Sequence, residues 1–390
     1  MYKWVEIDLD ALEENYLQVR KYVRKETKIL GVVKADAYGH GIVEVSKELQ
    51  RLEVDYLGVT EVSEGIQLRQ AGIVVPILVF GNPLPEDIDL LREFNLTITL
   101  GDINTVKIII ENDIPIRAHL KLETGLGRTG LKYSELDELV NLLKETEKIA
   151  VEGVYSHFAT AMWDNLAFTT EQYNKFLEGA AYLEEKGLTI PIKHICNSAA
   201  LAKFPEMHLD MVRAGTILYG QEVAGRKAFR GKLTDCWSLK GQIIYINELP
   251  RGHSIGYERA YILRRKSRTA LIPIGFFHGF SVEPVPRPKG LLDLIKIIGK
   301  NILRFFDHSR VRTYARVNER AVPVIGKVGM QTTILDVTDL PQVKIGDTVD
   351  LPGRRTNIIP NIPKVFLKEG KPVKIRKMQE KYEELSMAAK

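Results

Sequence analysis

The apolar residues of the chain follow two patterns that alternate along its first 220 residues. Short β-rich runs such as "ILGVVK" and "PILVFG" are each followed by a segment with helical spacing, such as "EQYNKFLEGAAYLEEKG". Strand–helix alternation predicts an α/β fold with a parallel sheet, and eight such units predict a closed eight-stranded (β/α)8 barrel of the TIM type. A doubly wound open sheet is the alternative. The predicted strands lie at residues 29–34, 55–60, 76–81, 96–101, 115–123, 151–158, 191–197 and 211–220.

The pattern changes near residue 230. From "CWSLKGQIIYINELPRG" onward, short apolar runs are separated by turn residues and few long helical segments lie between them. This spacing is typical of a mainly β domain. The sequence therefore predicts a barrel domain over residues 1–230, a mainly β C-terminal domain over 231–372, and a helical tail over 373–390.

One segment of the second domain has helical spacing. In "KGLLDLIKIIGKNILRFF", residues 289–306, the side chains of Asp293, Lys296, Lys300 and Arg304 recur every three or four positions. They form one polar stripe on an otherwise apolar helix. A basic amphipathic helix can lie on a membrane surface. The interpretation we favour from the sequence is that the broad apolar face packs on the second domain or on a partner subunit.

The size and composition of the chain narrow its class. A chain of 390 residues exceeds one core of usual size, so two domains are expected. Its 45% hydrophobic and 27% charged residues are ordinary for a soluble globular protein. The two cysteines, Cys196 and Cys236, imply no disulfide framework and fit a reducing cytoplasm.

The net charge and the hydropathy of the chain give no support for nucleic-acid binding or for a membrane span. The net charge of +5 is mild for this length, so it allows anionic ligands without favouring nucleic acid. No apolar run approaches the roughly 18 residues of a membrane span. The N-terminal "MYKWVEIDLDALEENY" carries acids where a signal peptide needs an apolar core. No histidine or cysteine cluster has the spacing of metal ligands, so no metal site is predicted.

Polar residues stand at the ends of several predicted barrel strands. Lys34 closes the first strand, although a buried ammonium costs several kcal/mol unless it is paired or loses its charge. Lys121 nearly closes the fifth strand, His157 ends the sixth, and Arg213 lies in the eighth. The carboxyl ends of barrel strands meet at one mouth, where the function of such folds is concentrated. Any one of these residues could be a satisfied structural polar group, but their convergence predicts a site.

The residues around Lys34 carry a family resemblance. "VVKADAYGHG" resembles the pyridoxal phosphate attachment site of alanine racemases. The likeness continues, in family order, through "HLKLETGLGRTG", "VEGVYSHFATA", "HICNSAA", "MVRAGTILYG", "IGYERAY", "IPIG" and "GKVGM". The resemblance covers residues 1 to about 350 and implies an eight-stranded barrel followed by a β domain, in agreement with the pattern above.

The resemblance implies a catalytic pair. Lys34 matches the lysine that forms a Schiff base with pyridoxal phosphate and, once displaced, exchanges the Cα proton of the D-enantiomer. Tyr257 matches the tyrosine that takes the Cα proton of the L-enantiomer, and His157 matches the histidine beside it. In the family this tyrosine comes from the other subunit, which implies a head-to-tail homodimer. Arg213 matches the arginine that faces the pyridine nitrogen.

The remaining contacts follow from the same resemblance. Arg128, Lys121 and Met330 match substrate-binding residues, and Lys121 matches a lysine that many members carbamylate. His194 matches the residue that holds Arg213. The residues that match cofactor contacts are Lys34, Tyr38, His194, Asn197, Ser198, Arg213, Gly215 and Thr216.

The second half of the chain departs from the family pattern. Phe276 stands where the family has a gate tyrosine, and Pro360 falls near the slot of a phosphate-contacting tyrosine. These departures leave alternatives open. The chain is expected to racemise alanine, but a larger amino acid such as serine, ornithine or lysine remains an alternative. A decarboxylase on the same architecture and a non-catalytic relative that binds the cofactor or an amino acid are further alternatives.

Overall fold

The computed structural model describes residues 1–112, 114–221, 229–283, 288, 290–306 and 308–377. These residues form two compact units. One unit is Leu9–Cys236, and the other joins Met1–Asp8 to the described residues from Trp237 onward.

The unit formed by Leu9–Cys236 is a parallel barrel. Strand β1 (Lys3–Asp8) precedes it and belongs to the other unit. The barrel strands are β2 (Lys28–Val32), β3 (Tyr56–Val59), β4 (Ile77–Val79), β5 (Ile98–Leu100), β6 (Ile116–Lys121), β7 (Ile149–Tyr155), β8 (Ile192–His194) and β9 (Met211–Ala214). Each of them falls within one of the eight predicted runs or extends it by one or two residues at its start. The helices are α1 (Leu9–Tyr22), α2 (Lys34–Gly39), α3 (Ile42–Arg51), α4 (Val62–Gln70), α5 (Ile88–Glu93), α6 (Ile103–Glu111), α7 (Leu136–Lys144), α8 (Ala167–Glu185) and α9 (Ser198–Lys203).

The barrel closes through two four-stranded parallel sheets. Their orders are β4-β3-β2-β9 and β5-β6-β7-β8. A parallel bridge between Leu78 and Thr97 joins β4 to the start of β5. On the other side, the Arg213 backbone N–H of β9 donates to the Cys196 carbonyl just after β8, at 3.1 Å. The predicted barrel is therefore confirmed.

Strand β2 shows how the apolar pattern builds the two layers. Leu30 and Val32 belong to a small apolar cluster that also holds Tyr56 and Met211 of neighbouring strands. Ile29 belongs to the large cluster that strands and helices share. Because side chains alternate along a strand, one face of β2 lines the barrel interior and the other packs on the helices.

The second unit is mainly β. Its strands after β1 are β10 (Trp237–Gln242), β11 (Tyr245–Leu249), β12 (Ser254–Ile255), β13 (Tyr261–Ile262), β14 (Ser267–Ile272), β15 (Tyr314–Val317), β16 (Arg320–Ile325), β17 (Thr333–Asp336), β18 (Thr348–Leu351), β19 (Lys364–Lys368) and β20 (Lys371–Arg376). Ten strands form one sheet with the order β11-β14-β17-β16-β15-β18-β10-β1-β19-β20, and β12 and β13 form a separate two-stranded sheet. Strand β1 pairs antiparallel with β10 and parallel with β19.

The structure corrects the predicted organisation at both ends of the chain. Residues 1–8 were assigned to the barrel, but they add β1 to the second unit because Val5 and Ile7 alternate with exposed or half-buried residues and are buried in its sheet. Residues 373–376 were expected to be helical, yet they belong to β20. Glu369 and Gly370 both have positive φ and turn β19 back on itself, so "KPVKIR" pairs as a hairpin strand. The rest of the tail, residues 378–390, lies outside the described residues.

Helix α10 (Leu291–Phe305) lies where the sequence predicts a helix at residues 289–306. None of its residues is buried. The expectation that its apolar face packs on the second domain is therefore not met.

The place of β1 gives a stability test. Ile7 is fully buried, so Ile7→Ala is expected to lower the free energy of unfolding by about 2–5 kcal/mol, measured by urea denaturation. Tyr2 is exposed just before the same strand, so Tyr2→Ala is the control and should change stability by less than about 0.5 kcal/mol. Equal small effects of both substitutions would contradict the docking of β1 in the sheet.

Candidate active site

A cavity of about 380 Å³ opens at the carboxyl ends of the barrel strands. It lies within the unit Leu9–Cys236. Its lining brings together residues that are up to 182 positions apart in the sequence and that were predicted as site residues. They are Lys34, Tyr38, Lys121, Arg128, His157, Asn197, Ser198, Arg213, Gly215 and Thr216.

Lys34 begins an unusual turn directly after β2. The next four residues, Ala35 to Tyr38, have φ between 53° and 55° and form a left-handed helical turn. For L-residues this conformation costs roughly 1–2 kcal/mol each because Cβ approaches the following carbonyl oxygen. Strain of this kind persists only where the surroundings impose it, and it concentrates at functional sites.

Glu64 and Asp36 hold this turn in place. One Glu64 oxygen accepts from the Ala35 backbone N–H at 2.6 Å, and the other accepts from the Thr60 N–H at 2.9 Å. The Asp36 carboxylate accepts from the Ile42 N–H at 2.9 Å, where α3 begins. The turn thereby fixes Lys34 at the edge of the cavity.

The cavity is strongly cationic. Lys34, Lys121, Arg128 and Arg213 line it, and no carboxylate side chain is among its described lining residues. Burial, and then the charge of Arg128, lower the pKa of Lys34 below its usual value. The same two causes, with a further contribution from Arg213, lower the pKa of Lys121 to about 8. Such a site is suited to an anionic ligand, which would relieve the repulsion among these groups.

The guanidinium of Arg213 is buried and held by the barrel. Its Nη1 donates to His194 Nδ1 at 2.9 Å, and its Nη2 donates to the carbonyls of Ser156 at 2.7 Å and Ile195 at 3.0 Å. Nη2 also lies 3.2 Å from His157 Nδ1. Burial lowers its pKa to about 10, so it stays protonated at neutral pH. Among the described residues, its Nε–H makes no hydrogen bond, and this donor belongs to a residue of the cavity wall.

The arginine fixes the protonation of the histidines around it. A guanidinium can only donate, so His194 Nδ1 must accept and its Nε2 carries the proton. That Nε2 lies 2.9 Å from His119 Nδ1, which accepts in turn. Burial, followed by the charge of Arg213, lowers the pKa of His119 to about 3 and that of His194 well below its usual value. The same two causes lower the pKa of His157, so all three rings are neutral.

Sequence reasoning missed two residues of this network. His119 stands two positions before Lys121 in the quoted motif "HLKLETGLGRTG". Because residues two positions apart on a strand share a face, this spacing on β6 could have indicated that His119 belongs to the same site. Tyr155 ends β7, lines the cavity and stacks on His194 with ring centroids 4.9 Å apart. Lys121 lies 5.7 Å and Arg213 5.3 Å from its ring centre, so the ring faces two cations.

The loop "GLGRTG" places Arg128 and Thr129. Glu123 folds this loop by accepting from the backbone N–H groups of Gly125 and Gly127. Thr129 then accepts a hydrogen bond from the Lys121 amine. The loop thus holds two cations together at one side of the cavity.

A group of small polar contacts lies at another side. The Gly215 backbone N–H donates to Ser198 Oγ at 2.8 Å, and Asn197 caps α9 by accepting from the N–H groups of Ala199 and Ala200. A Cβ added to Gly215 would lie 2.8 Å from Tyr38 Oη, so glycine allows the Tyr38 hydroxyl to approach the backbone closely. Hydroxyls and backbone N–H groups around open space are suited to a phosphate or carboxylate.

Tyr257 and Met330, the two other predicted site residues, lie on the second unit. Both side chains are exposed, Tyr257 at 71% and Met330 at 59%. The Met330 carbonyl accepts from the Phe277 backbone N–H at 2.9 Å. In the single chain, both side chains are therefore accessible to a partner molecule.

The part of the chain that the structure describes holds neither a candidate metal site nor a candidate membrane span. It contains no group of three or more His, Cys, Asp and Glu side chains arranged to hold a metal ion. No described helix has the length and apolar character required to cross a membrane.

The fold and cavity define a (β/α)8 barrel protein whose cationic site opens at the carboxyl ends of its strands. The sequence profile described as alanine racemase, N-terminal domain, matches residues 7–223, and the profile of the C-terminal domain matches residues 236–363. The chain belongs to the alanine racemase family. It is accordingly an isomerase of the racemase class.

Individual relatives agree with this assignment. The chain is 34% identical over 362 residues to alanine racemase 1 of Caldanaerobacter subterraneus subsp. tengcongensis, which covers 90% of this chain and 86% of that protein. Its structure resembles that of an alanine racemase from Clostridium difficile 630 at 30% identity, with a TM-score of 0.85 and coverage of 97% and 98%. It also resembles the alanine racemase from Bacillus anthracis with bound L-Ala-P at 28% identity, with a TM-score of 0.82 and coverage of 96% and 97%.

The strained turn after Lys34 can be tested by a pair of glycine substitutions. Ala35 is exposed and its backbone has a left-handed helical conformation. Ala35→Gly should therefore raise the free energy of unfolding by about 1 kcal/mol by relieving strain. Ala181 is exposed in the right-handed helix α8, so Ala181→Gly should lower it by about 1 kcal/mol. Denaturant unfolding measures both changes. Destabilisation of similar size in both variants would contradict the left-handed assignment.

Proposed function

We propose that the protein is a pyridoxal-phosphate-dependent alanine racemase that works with two bases, Lys34 and Tyr257 of the partner subunit. The observation that carries this proposal is the placement of Lys34. It stands at the start of a strained turn, its pKa is lowered by burial and then by Arg128, and it lines a cavity with three other cations. A lysine of lowered pKa is nucleophilic at neutral pH, as attachment of an aldehyde requires.

The residues of the cavity fit pyridoxal phosphate. Lys34 would attach its aldehyde carbon. Tyr38, Ser198 and the Gly215–Thr216 backbone would hold its phosphate, and the close approach of the Tyr38 hydroxyl to Gly215, which a Cβ would obstruct, supports this. The Arg213 Nε–H, which the barrel leaves without a partner among the described residues, would donate to the pyridine nitrogen. His194 and Asn197 would support these contacts through Arg213 and α9.

Bound in this cavity, the cofactor supplies an electron-withdrawing system that stabilises the charge left on Cα when its proton leaves. The side chains move the proton. Lys34 exchanges the Cα proton on the face of the D-enantiomer, and the Tyr257 oxygen exchanges it on the face of the L-enantiomer. Proton transfer by a tyrosine hydroxyl needs a neighbour that assists it, and His157 is proposed for this role beside Tyr257.

Arg213 limits the reaction to proton exchange. Its guanidinium is held by five acceptors of the barrel and donates without giving up its proton. It would therefore leave a ring nitrogen of the cofactor unprotonated, and electron withdrawal from Cα would stay moderate. Arg213 would thereby favour prompt return of a proton over side reactions.

Alanine is the proposed substrate. Arg128 and the backbone of Met330 from the partner subunit would bind its carboxylate, and Lys121, in carbamylated form, would pair with Arg128. The lowered pKa of Lys121, about 8, leaves a reactive fraction of neutral amine for that modification. The names of the relatives support alanine, while Phe276 and Pro360 keep a larger amino acid as the alternative.

We propose that the protein forms a head-to-tail homodimer and that it lies in the cytoplasm. The exposure of Tyr257 and Met330 in a single chain supports a role in a partner's site. Cys196 and Cys236 are both buried and are not joined in a disulfide, as a reducing compartment would keep them.

The direct test is racemisation in heavy water. Purified protein with pyridoxal phosphate is incubated with L- and D-amino acids, and Cα proton loss and chirality are followed by NMR and chiral chromatography. We expect alanine to lose its Cα proton and yield its mirror image fastest. Fastest turnover of serine, ornithine or lysine would replace the substrate, and no exchange with any amino acid would favour the non-catalytic relative.

The role of Lys34 predicts a spectroscopic change. Lys34→Ala should bind pyridoxal phosphate without the visible absorbance of the attached form, because no amine remains to bond the aldehyde. Lys47, exposed on α3, gives the control Lys47→Ala, which should keep the wild-type spectrum. A wild-type spectrum in Lys34→Ala would refute the attachment site.

The role of Tyr257 predicts an asymmetric loss. In Tyr257→Phe, Cα proton exchange from L-alanine should fall by about 100-fold or more, while exchange from D-alanine should fall far less. Tyr245→Phe, at another exposed tyrosine of the second unit, is the control and should leave both rates unchanged. Equal losses for both enantiomers in Tyr257→Phe would refute the two-base assignment.

A further inference from the structure

The apolar surface of α10 is large and uncovered. With about 100° between successive residues, the apolar side chains occupy an arc of about 240°, from Ile297 round to Leu303. Gly299 and Asn301 are its interruptions. Leu292 is 75% exposed and Phe305 83% exposed. An apolar arc of this width normally has a partner that shields it from water.

The opposite stripe of the helix is basic. It holds Lys296, Lys300 and Arg304 with one acid, Asp293. Two exposed ion pairs fall here, Lys296–Asp293 at 4.0 Å and Arg304–Glu283 at 3.7 Å. Exposed pairs of this kind contribute little and are screened by salt, so the stripe remains available to an anionic partner.

The charge of the whole chain is concentrated around this helix. Residues 284–312 contain seven lysines and arginines and two aspartates, an excess of five, which equals the formal net charge of the full chain, +5. The remaining residues therefore balance in charge. A broad apolar arc and the whole positive excess of the protein coincide in one segment.

We propose that α10 binds the protein to the surface of an anionic lipid bilayer. Its apolar side chains would enter the boundary between headgroups and acyl chains, and Lys296, Lys300 and Arg304 would contact lipid phosphates. At fifteen residues the helix is about 22 Å long, shorter than the roughly 30 Å hydrocarbon core, so it lies in the interface and does not cross.

The charge pattern favours lipid over protein partners. A second copy of the chain would bring an equal positive excess against this one, and like charges oppose that pairing. A protein groove usually covers an apolar stripe of about 100°, less than half of this arc, whereas a fluid interface adapts to a wider one. The proposal does not depend on the catalytic assignment.

Vesicle sedimentation of the full-length holoenzyme tests this proposal. One vesicle is phosphatidylcholine alone, and the other contains about 30% phosphatidylglycerol as the anionic lipid. We expect partition into the anionic vesicles to be at least about tenfold stronger and to fall as salt is raised. Equal partition into both vesicles, or none into either, would overturn the proposal.

Variants separate the charge contribution from the apolar one. Lys296→Glu with Lys300→Glu should lower partition by more than about 30-fold, roughly fivefold for each cation removed, because each added carboxylate also repels the anionic lipid. Ile298→Asp with Phe305→Asp should abolish it. Lys21→Glu with Lys47→Glu makes the same charge change on exposed barrel lysines and should retain most of the binding.

Each variant is also examined without vesicles. We expect racemisation and the oligomeric state, measured by analytical ultracentrifugation, to match those of the parent protein. Dissociation of an oligomer by Ile298→Asp with Phe305→Asp would overturn the proposal, since a second copy would then cover the helix. An equal loss of vesicle binding in the Lys21 and Lys47 control would overturn it as well.

Discussion

The structure of the site depends on the buried guanidinium of Arg213. A permanently charged group in a barrel interior is tolerable only if its donors are met by acceptors, and the barrel meets them with three carbonyls and two histidine rings. That requirement sets the tautomer of His194, and through it that of His119. Arg213 thereby organises the histidines into a fixed hydrogen-bond network, and its Nε–H, which has no partner among the described residues, is available to a ligand.

The other features of the cavity follow from its excess of positive charge. After burial, the charge of Arg128 lowers the pKa of both Lys34 and Lys121, and Arg213 lowers that of Lys121 further. A ligand with a phosphate and a carboxylate would relieve this repulsion. Burial and the charge of Arg128 lower the pKa of Lys34, which favours the neutral amine that its proposed chemistry requires. Binding strength and reactivity thus have one electrostatic origin.

The barrel and the polar residues at its strand ends, such as Lys34 and Lys121, could be predicted from local patterns in the sequence. The other cavity residues, such as Arg128 and Gly215, were expected only from the family resemblance. The hydrogen-bond partners could not be predicted. His119 and Tyr155 join the network only because β6, β7 and β8 lie side by side, and no local pattern encodes that proximity. The left-handed turn after Lys34 could not be predicted either, because none of the four residues from Ala35 to Tyr38 is a glycine, the residue that most often indicates positive φ. The place of β1 in the second unit could not be predicted, because its partner strands, β10 and β19, are more than 200 residues away.

The most direct measurement is the protonation of the buried histidines. Full-length holoenzyme labelled with ¹⁵N-histidine would be followed by NMR from about pH 6 to pH 9, where an ordinary histidine loses its charge. We expect His194 and His119 to be neutral, protonated on Nε2 and unchanged throughout, with each signal assigned by its asparagine variant. A charged His194, or one protonated on Nδ1, would contradict donation from Arg213 and the account of the site built on it.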